Sequence, residues 1–291
     1  MHETQAGDIV RSLPVIRDDY SKFDRGRLFL IAGSFGMAGA AILSGRAALR
    51  SGVGYLDMAV PESIYPVVTA ALPEAVCTVY REEDPEDLRK KLREGAAKAS
   101  AVAAGPGLGK NRELVMPVLQ ALSGKKLLLD ADALNYLAGA GPLSFPGFEA
   151  LLLTPHSGEM ARLLKKSREE VENDRFSAVT ACARDFHACA LLKGKNTLIS
   201  TPEGRVQENP TGNAGLARAG SGDTLTGIAG SLLAQGMEAF DALFSAAWIH
   251  GKAGDLCSEK LGIRSVLPED LIEMLPAVFR ILEKGTVEGG E

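Results

Sequence analysis

The chain has 291 residues, 46% of them apolar and 24% charged, with a formal net charge of −5. That length and balance fit one large α/β domain spanning residues 1–291. No basic stripe with interleaved aromatics is present, which argues against nucleic-acid binding. No apolar run approaches the length of a membrane span, and the N-terminal MHETQAGDIVRSLP lacks an apolar signal core, so a cytoplasmic protein with no membrane partner is expected. Cys77, Cys182, Cys189 and Cys257 form no C-x-x-C pair and read as buried small residues of a reduced compartment. His2, His156, His187 and His250 show no zinc-ligand spacing.

In chain order, RLFLIAG (27–33) reads as a buried strand, followed by an Ala-rich helix over 37–52. A strand at 55–60, a short helix over 63–72 interrupted by Pro66, and a strand at 75–80 come next. The charged amphipathic segment 85–99 predicts a helix, ASAVAAG (99–105) a strand, 112–124 a helix, KLLLD (126–130) a strand and 131–139 a short helix. ALLLTP (150–155) is a strand, and helices follow over 159–166 and 168–186. CALLKG (189–194) is a strand and 197–210 a hairpin. Glycine-rich GLARAGSGDTLTGIAG (215–230) opens a helix, and helices over 241–261 and 268–284 close the chain. Strands alternating with helices imply a mostly parallel sheet covered on both faces, with the late hairpin as a mixed edge. Gly33, Gly105, Asp130, Thr154 and Lys193 all fall at strand ends, where open α/β sheets bind ligands.

Several of these turns resemble known loops without matching them. GSFGMAGA (33–40) has G-x-x-G-x-x-G spacing in place of G-x-G-x-x-G, with Asp57 at about the distance of a ribose-binding acid. AGPGLGKN (104–111) carries Ala104 and Asn111 where a phosphate-binding Walker loop needs Gly and Ser or Thr, so that reading is rejected. Gly107 remains a candidate for close approach of a flat ligand. His156 and Glu159 stand three apart at a strand-end turn, where they can cap a helix or meet a ligand. Lys193 faces the end of a strand, where it can reach nucleotide phosphates.

The most informative stretch is GSGD at 220–223. A helix start offers free N–H groups that attract anions, yet Asp223 puts a carboxylate there. Gly220, Gly222 and Gly227 each cost helix stability, up to about 1 kcal/mol if interior, and close backbone approach to a ligand would explain that cost. The N–H groups of 220–223, those of Gly220, Ser221 and Gly222 foremost, then form an anion hole, and Asp223 accepts a proton from the attacking hydroxyl.

GSGD followed by a helix resembles the G-x-G-D motif of the ribokinase-like superfamily. The resemblance covers nearly the whole chain and narrows further. GSFGMAGAAILSGRAALRSGVGY, AAGPGLG, LLLDADALN, LTPHSGEMARLL, LLKGKNT and GLARAGSGDTLTGIAG stand in the order found in the NAD(P)H-hydrate dehydratases. The resemblance implies a three-layer α/β/α sandwich with a mostly parallel central sheet. It implies dehydration of the S-form of hydrated NADH or NADPH, coupled to hydrolysis of ADP to AMP and phosphate, with ATP as the other nucleotide used in the family. Position by position, it makes Asp223 the base, with Ala40, Gly107, His156 and Asp223 around the hydrated dinucleotide. Lys193, Gly194, Lys195, Asn196, Thr197 and Gly222 hold the AMP portion. Glu159 acts on Mg2+ through water. Asp130 and Asn135 belong to the pattern without an assigned role. About 25 residues precede the first predicted strand, too few for the epimerase domain fused to many relatives, so a separate epimerase is the expected functional partner; relatives of this type often assemble as tetramers. The alternatives are a ribokinase-like kinase of a small vitamin precursor, which would release a stable phosphorylated product, and a catalytically silent nucleotide-binding module.

Overall fold

The structure, a computed structural model, describes residues 6–122, 124–140 and 147–288. Its centre is a nine-stranded sheet in the order β3-β2-β1-β4-β5-β6-β7-β8-β9. The strands are β1 (Arg27–Ile31), β2 (Tyr55–Pro61), β3 (Val76–Tyr80), β4 (Ala101–Ala104), β5 (Lys126–Leu129), β6 (Ala150–Leu153), β7 (Cys189–Leu192), β8 (Thr197–Ser200) and β9 (Val206–Asn209). Neighbours from β3 through β7 run parallel, and β8 and β9 add the antiparallel edge. The interior strands are short continuous apolar runs because both faces of the sheet are covered.

On one face lie α1 (Ala6–Ser12), α2 (Ala38–Arg50), α3 (Tyr65–Ala71), α10 (Ser221–Ala234), α11 (Ala239–Leu261) and α12 (Pro268–Glu288), packed around Leu28, Leu30 and Met58. On the other lie α4 (Pro85–Lys98), α5 (Arg112–Gln120), α6 (Ala131–Ala140), α7 (Ser157–Leu164), α8 (Arg168–Asn173) and α9 (Arg175–Asp185), around Phe29, Ile31 and Leu129. Each fully buried Leu, Ile or Phe contributes about 1.5–3 kcal/mol of burial. This is the expected three-layer α/β/α sandwich. Among the described residues no helix is long and apolar enough to cross a membrane.

Four local expectations change. The segment 168–186 is two helices, because Asp174 leaves helical geometry (φ −141°, ψ 74°) and its carboxylate caps α9 by accepting the Ser177 N–H. Pro66 does not interrupt α3 but sits in its first turn, where the missing N–H costs nothing. Helix α7 starts at Ser157, two residues early, because His156 caps it. Gly227 serves packing, not ligand approach: a Cβ there would lie 2.1 Å from the Ser44 carbonyl oxygen, so glycine lets α10 press against α2.

Candidate active site

The strand order reverses between β1 and β4, which are neighbours although β2 and β3 intervene in the chain. Crevices outside the carboxyl ends at such a switch point are where open α/β sheets bind ligands. Here the loops after β1 and β4 are tied together. The Gly33 N–H donates to the Pro106 carbonyl (2.8 Å), and Ser34 Oγ donates to the Gly107 carbonyl (2.9 Å). Gly107 has φ +62°, and a Cβ on it would lie 2.8 Å from the Ala40 Cβ. Ala40 and Gly107, far apart in the chain, therefore share one wall. The glycine turn after β4 is not a phosphate loop: the Gly109 N–H is taken by Asp132 Oδ2 (2.8 Å), and Asn111 is buried. Asp57 is not a ribose acid. It lies inside β2, where Arg27 (2.6 Å) and Thr78 (2.9 Å) satisfy its carboxylate.

Helix α10 brings in the GSGD turn. Gly220 is its N-cap at φ +92°, a conformation that favours glycine. The Ser221 N–H donates to the Arg218 carbonyl (3.2 Å) and the Thr224 N–H to the Gly220 carbonyl (3.1 Å). The N–H groups of Gly220, Gly222 and Asp223 have no hydrogen-bond partner among the described residues. Of the expected donors Ser221 drops out, because Arg218 uses its N–H.

Beneath this turn lies a charge cluster from three strand ends. Asp130, at the end of β5, is buried; its Oδ1 accepts from Lys193 Nζ (2.5 Å) and its Oδ2 from Thr226 Oγ1 (2.6 Å). Lys193 Nζ is also 3.3 Å from where a Cβ on Gly222 would stand. Glycine at 222 therefore lets the ammonium approach the helix start from below. Burial lowers the Lys193 pKa, but attraction from Asp130 and Glu159 outweighs it and holds the ammonium above its ordinary range. The neighbouring carboxyls respond in the opposite way. Burial, reinforced by Asp130 and opposed by Lys193, pushes Asp223 up to about 6. Burial first, with Lys193 opposing and Asp130 reinforcing, pushes Glu159 up to about 7. A carboxyl poised near neutrality suits a general base.

His156 and Glu159 form a reciprocal cap on α7. His156 Nδ1 accepts from the N–H groups of Gly158 (2.9 Å) and Glu159 (3.3 Å), and Glu159 Oε2 accepts the His156 N–H (2.9 Å). Burial, Lys193 and Arg162 lower the His156 pKa. A neutral ring accepting at Nδ1 carries its proton on Nε2. That exposed Nε2–H lies 3.5 Å from Glu159 Oε1 and is a hydrogen-bond donor at the crevice. The Lys193 N–H donates to the Pro155 carbonyl (2.9 Å), which locks the loops after β6 and β7 together.

The remaining expected residues sit further out. Gly194, Lys195 and Asn196 form the exposed tip of the β7–β8 turn, which Thr197 Oγ1 closes by donating to the Gly194 carbonyl (3.0 Å). Lys195 and Asn196 line a cleft of about 410 Å³ with Arg175 and Phe176, and neither Asp130 nor Lys193 is part of its lining. Asn135 accepts from Arg162 Nε (2.9 Å), a link between α6 and α7. Sequence reasoning missed Asp132, Thr226 and Arg175. Thr226 lies one turn beyond Gly222 on α10, a helical spacing that is a readable signal. Arg175 Nη2 donates to the carbonyls of Leu192 (3.2 Å) and Lys193 (3.3 Å), and nothing in the local sequence marks it for that place.

Comparison with known proteins identifies the family. Its profile, for NAD(P)H-hydrate dehydratase, matches residues 28–277. The ADP-dependent (S)-NAD(P)H-hydrate dehydratase of Neisseria meningitidis is 38% identical over 256 residues, covering 86% of this chain and 83% of that protein. A bifunctional NAD(P)H-hydrate repair enzyme of Moorella thermoacetica is 38% identical over 266 residues, covering 89% of this chain. The chain spans about half the length of the bifunctional relatives it matches. A Bacillus subtilis ADP/ATP-dependent NAD(P)H-hydrate dehydratase, co-crystallised with ATP and Mg2+, superposes with a TM-score of 0.83 at 31% identity, covering 96% of this chain and 97% of that one. Sequence and fold thus agree over nearly the whole length, and the chain belongs to the NAD(P)H-hydrate dehydratase family.

Proposed function

We propose that this protein dehydrates the S-form of hydrated NADH or NADPH, driven by hydrolysis of ADP to AMP and phosphate. The observation that carries the reading is the juxtaposition at α10: unpaired N–H groups at a helix start, a base tuned to about 6 beside them, and an ammonium below. Phosphoryl transfer needs positioned donors for the charge on the phosphoryl oxygens and a group to take the acceptor's proton.

The hydrated ring lies against the Ala40–Gly107 wall, with His156 Nε2–H as a donor to it. Asp223 takes the proton of the ring hydroxyl as its oxygen bonds to the terminal phosphorus of ADP and the bond to AMP breaks. The N–H groups of Gly220, Gly222 and Asp223, with Lys193, hold the phosphoryl oxygens. The ring C–O bond then breaks, phosphate leaves with the electron pair, and loss of a proton from the adjacent ring carbon restores the double bond. Overall the reaction is that of a carbon–oxygen lyase. Lys193 through Thr197 hold the AMP portion of the nucleotide.

The residues fit Mg2+ as a partner of the nucleotide. Among the described residues no group of three or more His, Cys, Asp or Glu is arranged to hold a metal. Mg2+ is commonly bound through one or two carboxylates, waters and substrate phosphates, not a protein cage. Glu159 supplies such a carboxylate, facing the cluster from α7. Bound there, the cation would neutralise phosphate charge.

The test uses purified protein with Mg2+ and hydrated NADH, with ADP in one cuvette and ATP in another, following the return of reduced-nicotinamide absorbance. Recovery with ADP that levels off when the S-form is consumed is the expected result. No recovery with either nucleotide, in protein shown to bind nucleotide, refutes the reading.

A further inference from the structure

Helix α11 backs the segment that leads into GSGD. Thr211 Oγ1 donates to the Trp248 carbonyl (3.1 Å), and a Cβ on Gly251 would lie 2.2 Å from that hydroxyl. Asp255 accepts the Gly212 N–H (3.1 Å) and Asn213 Nδ2 (2.9 Å). The last link in this run is at the turn itself, where Ser221 Oγ lies 3.1 Å from His250 Nε2. Ser221 is 5% exposed and His250 8% exposed. Burial, with Lys193 adding to it, pushes the His250 pKa down to about 4, so the ring is neutral at working pH. A hydroxyl can donate to or accept from such a ring, so the pair is satisfied in either direction.

His250 takes no part in the proposed reaction, yet it holds the residue between the two glycines that carry free N–H groups. Glycine loses more conformational freedom on ordering than any other residue. A GSG turn left to itself would spread its N–H groups over many directions, and an anion hole works by being oriented before the charge develops.

We propose that His250 is a positioning residue: through Ser221 Oγ it fixes the first turn of α10 against α11 and so aims the N–H groups of Gly220, Gly222 and Asp223. The proposal rests on the phosphoryl-transfer reading of that turn. It differs from the role of an ordinary satisfied core histidine, whose loss would lower stability alone.

The experiment compares His250→Phe, His250→Gln, Ser221→Ala and the double variant His250→Phe/Ser221→Ala. Unfolding midpoint, ADP affinity by calorimetry, and kcat and KM with hydrated NADH are measured for each. His250→Phe and Ser221→Ala should each lower kcat about 3- to 10-fold, the scale of one neutral hydrogen bond. The double variant should be no slower than the slower single one, because one interaction is lost in all three. His250→Gln should recover most of the rate, and KM for hydrated NADH should stay unchanged, because the Ala40–Gly107 wall is built from other loops. A lowered midpoint with kcat retained, or losses that multiply in the double variant, overturns the proposal. A wild-type protein that binds ADP but restores no NADH overturns the dehydratase reading instead. ADP affinity then decides: weaker binding in His250→Phe and Ser221→Ala supports the positioning role, and unchanged binding sinks it.

Discussion

Asp223→Asn should stabilise the fold while abolishing its proposed chemistry. In the native state the Asp223 carboxyl is pushed from 3.8 to about 6, first by burial and then by Asp130. That rise corresponds to about 3 kcal/mol of native-state cost once the group is ionised. Water reaching the partly exposed carboxylate trims the figure to roughly 2 kcal/mol. The sign follows from linkage. A carboxyl raised on folding is neutral in both states below pH 3.8 and costs nothing there; the cost grows as pH rises and is complete above the folded value of about 6. Asn mimics the neutral form at every pH. The difference between variant and wild type should therefore be small at pH 4 and reach roughly 2 kcal/mol in favour of the variant at pH 8. With an m-value of about 3 kcal/mol/M, that moves the urea midpoint by about 0.7 M. Urea unfolding followed by circular dichroism across this pH range, beside kcat on the same preparations, tests both halves. Turnover should fall at least about a hundredfold, the low end for a lost general base. A variant no more stable than wild type at pH 8 refutes the claim that burial strains this carboxylate, and near-normal turnover removes Asp223 as the base.

Other substitutions probe the neighbouring groups. Asp130→Asn removes the charge that tethers Lys193; breaking a buried pair by deleting one partner costs up to about 3–5 kcal/mol, less here because Lys193 keeps some water contact. Loss of the Asp130 charge also lets the Asp223 pKa fall, so the acid limb of kcat/KM should move to lower pH, and an unmoved limb would contradict the coupling. Gly222→Ala adds a Cβ 3.3 Å from Lys193 Nζ; thermal melts should change little, since helix propensity gains up to about 1 kcal/mol, while kcat drops at least about tenfold through the displaced ammonium. His156→Ala should lose about 0.5–2 kcal/mol with the cap and raise KM for hydrated NADH, whereas His156→Asn should regain the cap energy without restoring KM. An unchanged KM in both would remove His156 from the substrate site.

Much of this arrangement was legible from residues alone. Apolar runs of strand length ending in Gly or Asp located the carboxyl edge of the sheet, and the cost of Gly220 and Gly222 in a helix start located the candidate anion hole. What escaped was information held between distant segments. Periodicity cannot show that Asp130 meets Lys193 and Thr226, because those contacts arise from strand order and from α10 crossing over β5. It also cannot distinguish a glycine that faces a ligand from one that faces a helix. Gly222 sits over an ammonium and Gly227 against the Ser44 carbonyl, and only their neighbours differ. Asp57 stood at a plausible spacing, but its place inside β2 gives its carboxylate to Arg27. The break at Asp174 was hidden because Asp is tolerated in helices, and it takes the cap of α9 to reveal the change of direction.

The carboxylate at the phosphate-suited helix start follows from the charge of the whole cluster. Asp130, Glu159 and Asp223 surround one ammonium, so the protein's own ionised groups leave the centre negative. Two of the three relieve this by holding protons up to about pH 6 and 7. In the proposed reaction a nucleotide arriving with a divalent cation would bring positive charge to Glu159 and phosphate to the N–H groups and Lys193. Such a cation would favour ionised carboxylates, with Asp130 still paired to Lys193. Asp223 would then be the carboxylate that takes a proton as the ring hydroxyl attacks. Its negative charge would not repel the phosphoryl group while that hydroxyl lay between them. On the proposed reaction the raised pKa belongs to the same device as the anion hole: the turn offers phosphate its unpaired backbone N–H groups, and its side chain is held close to the pH at which it can accept a proton.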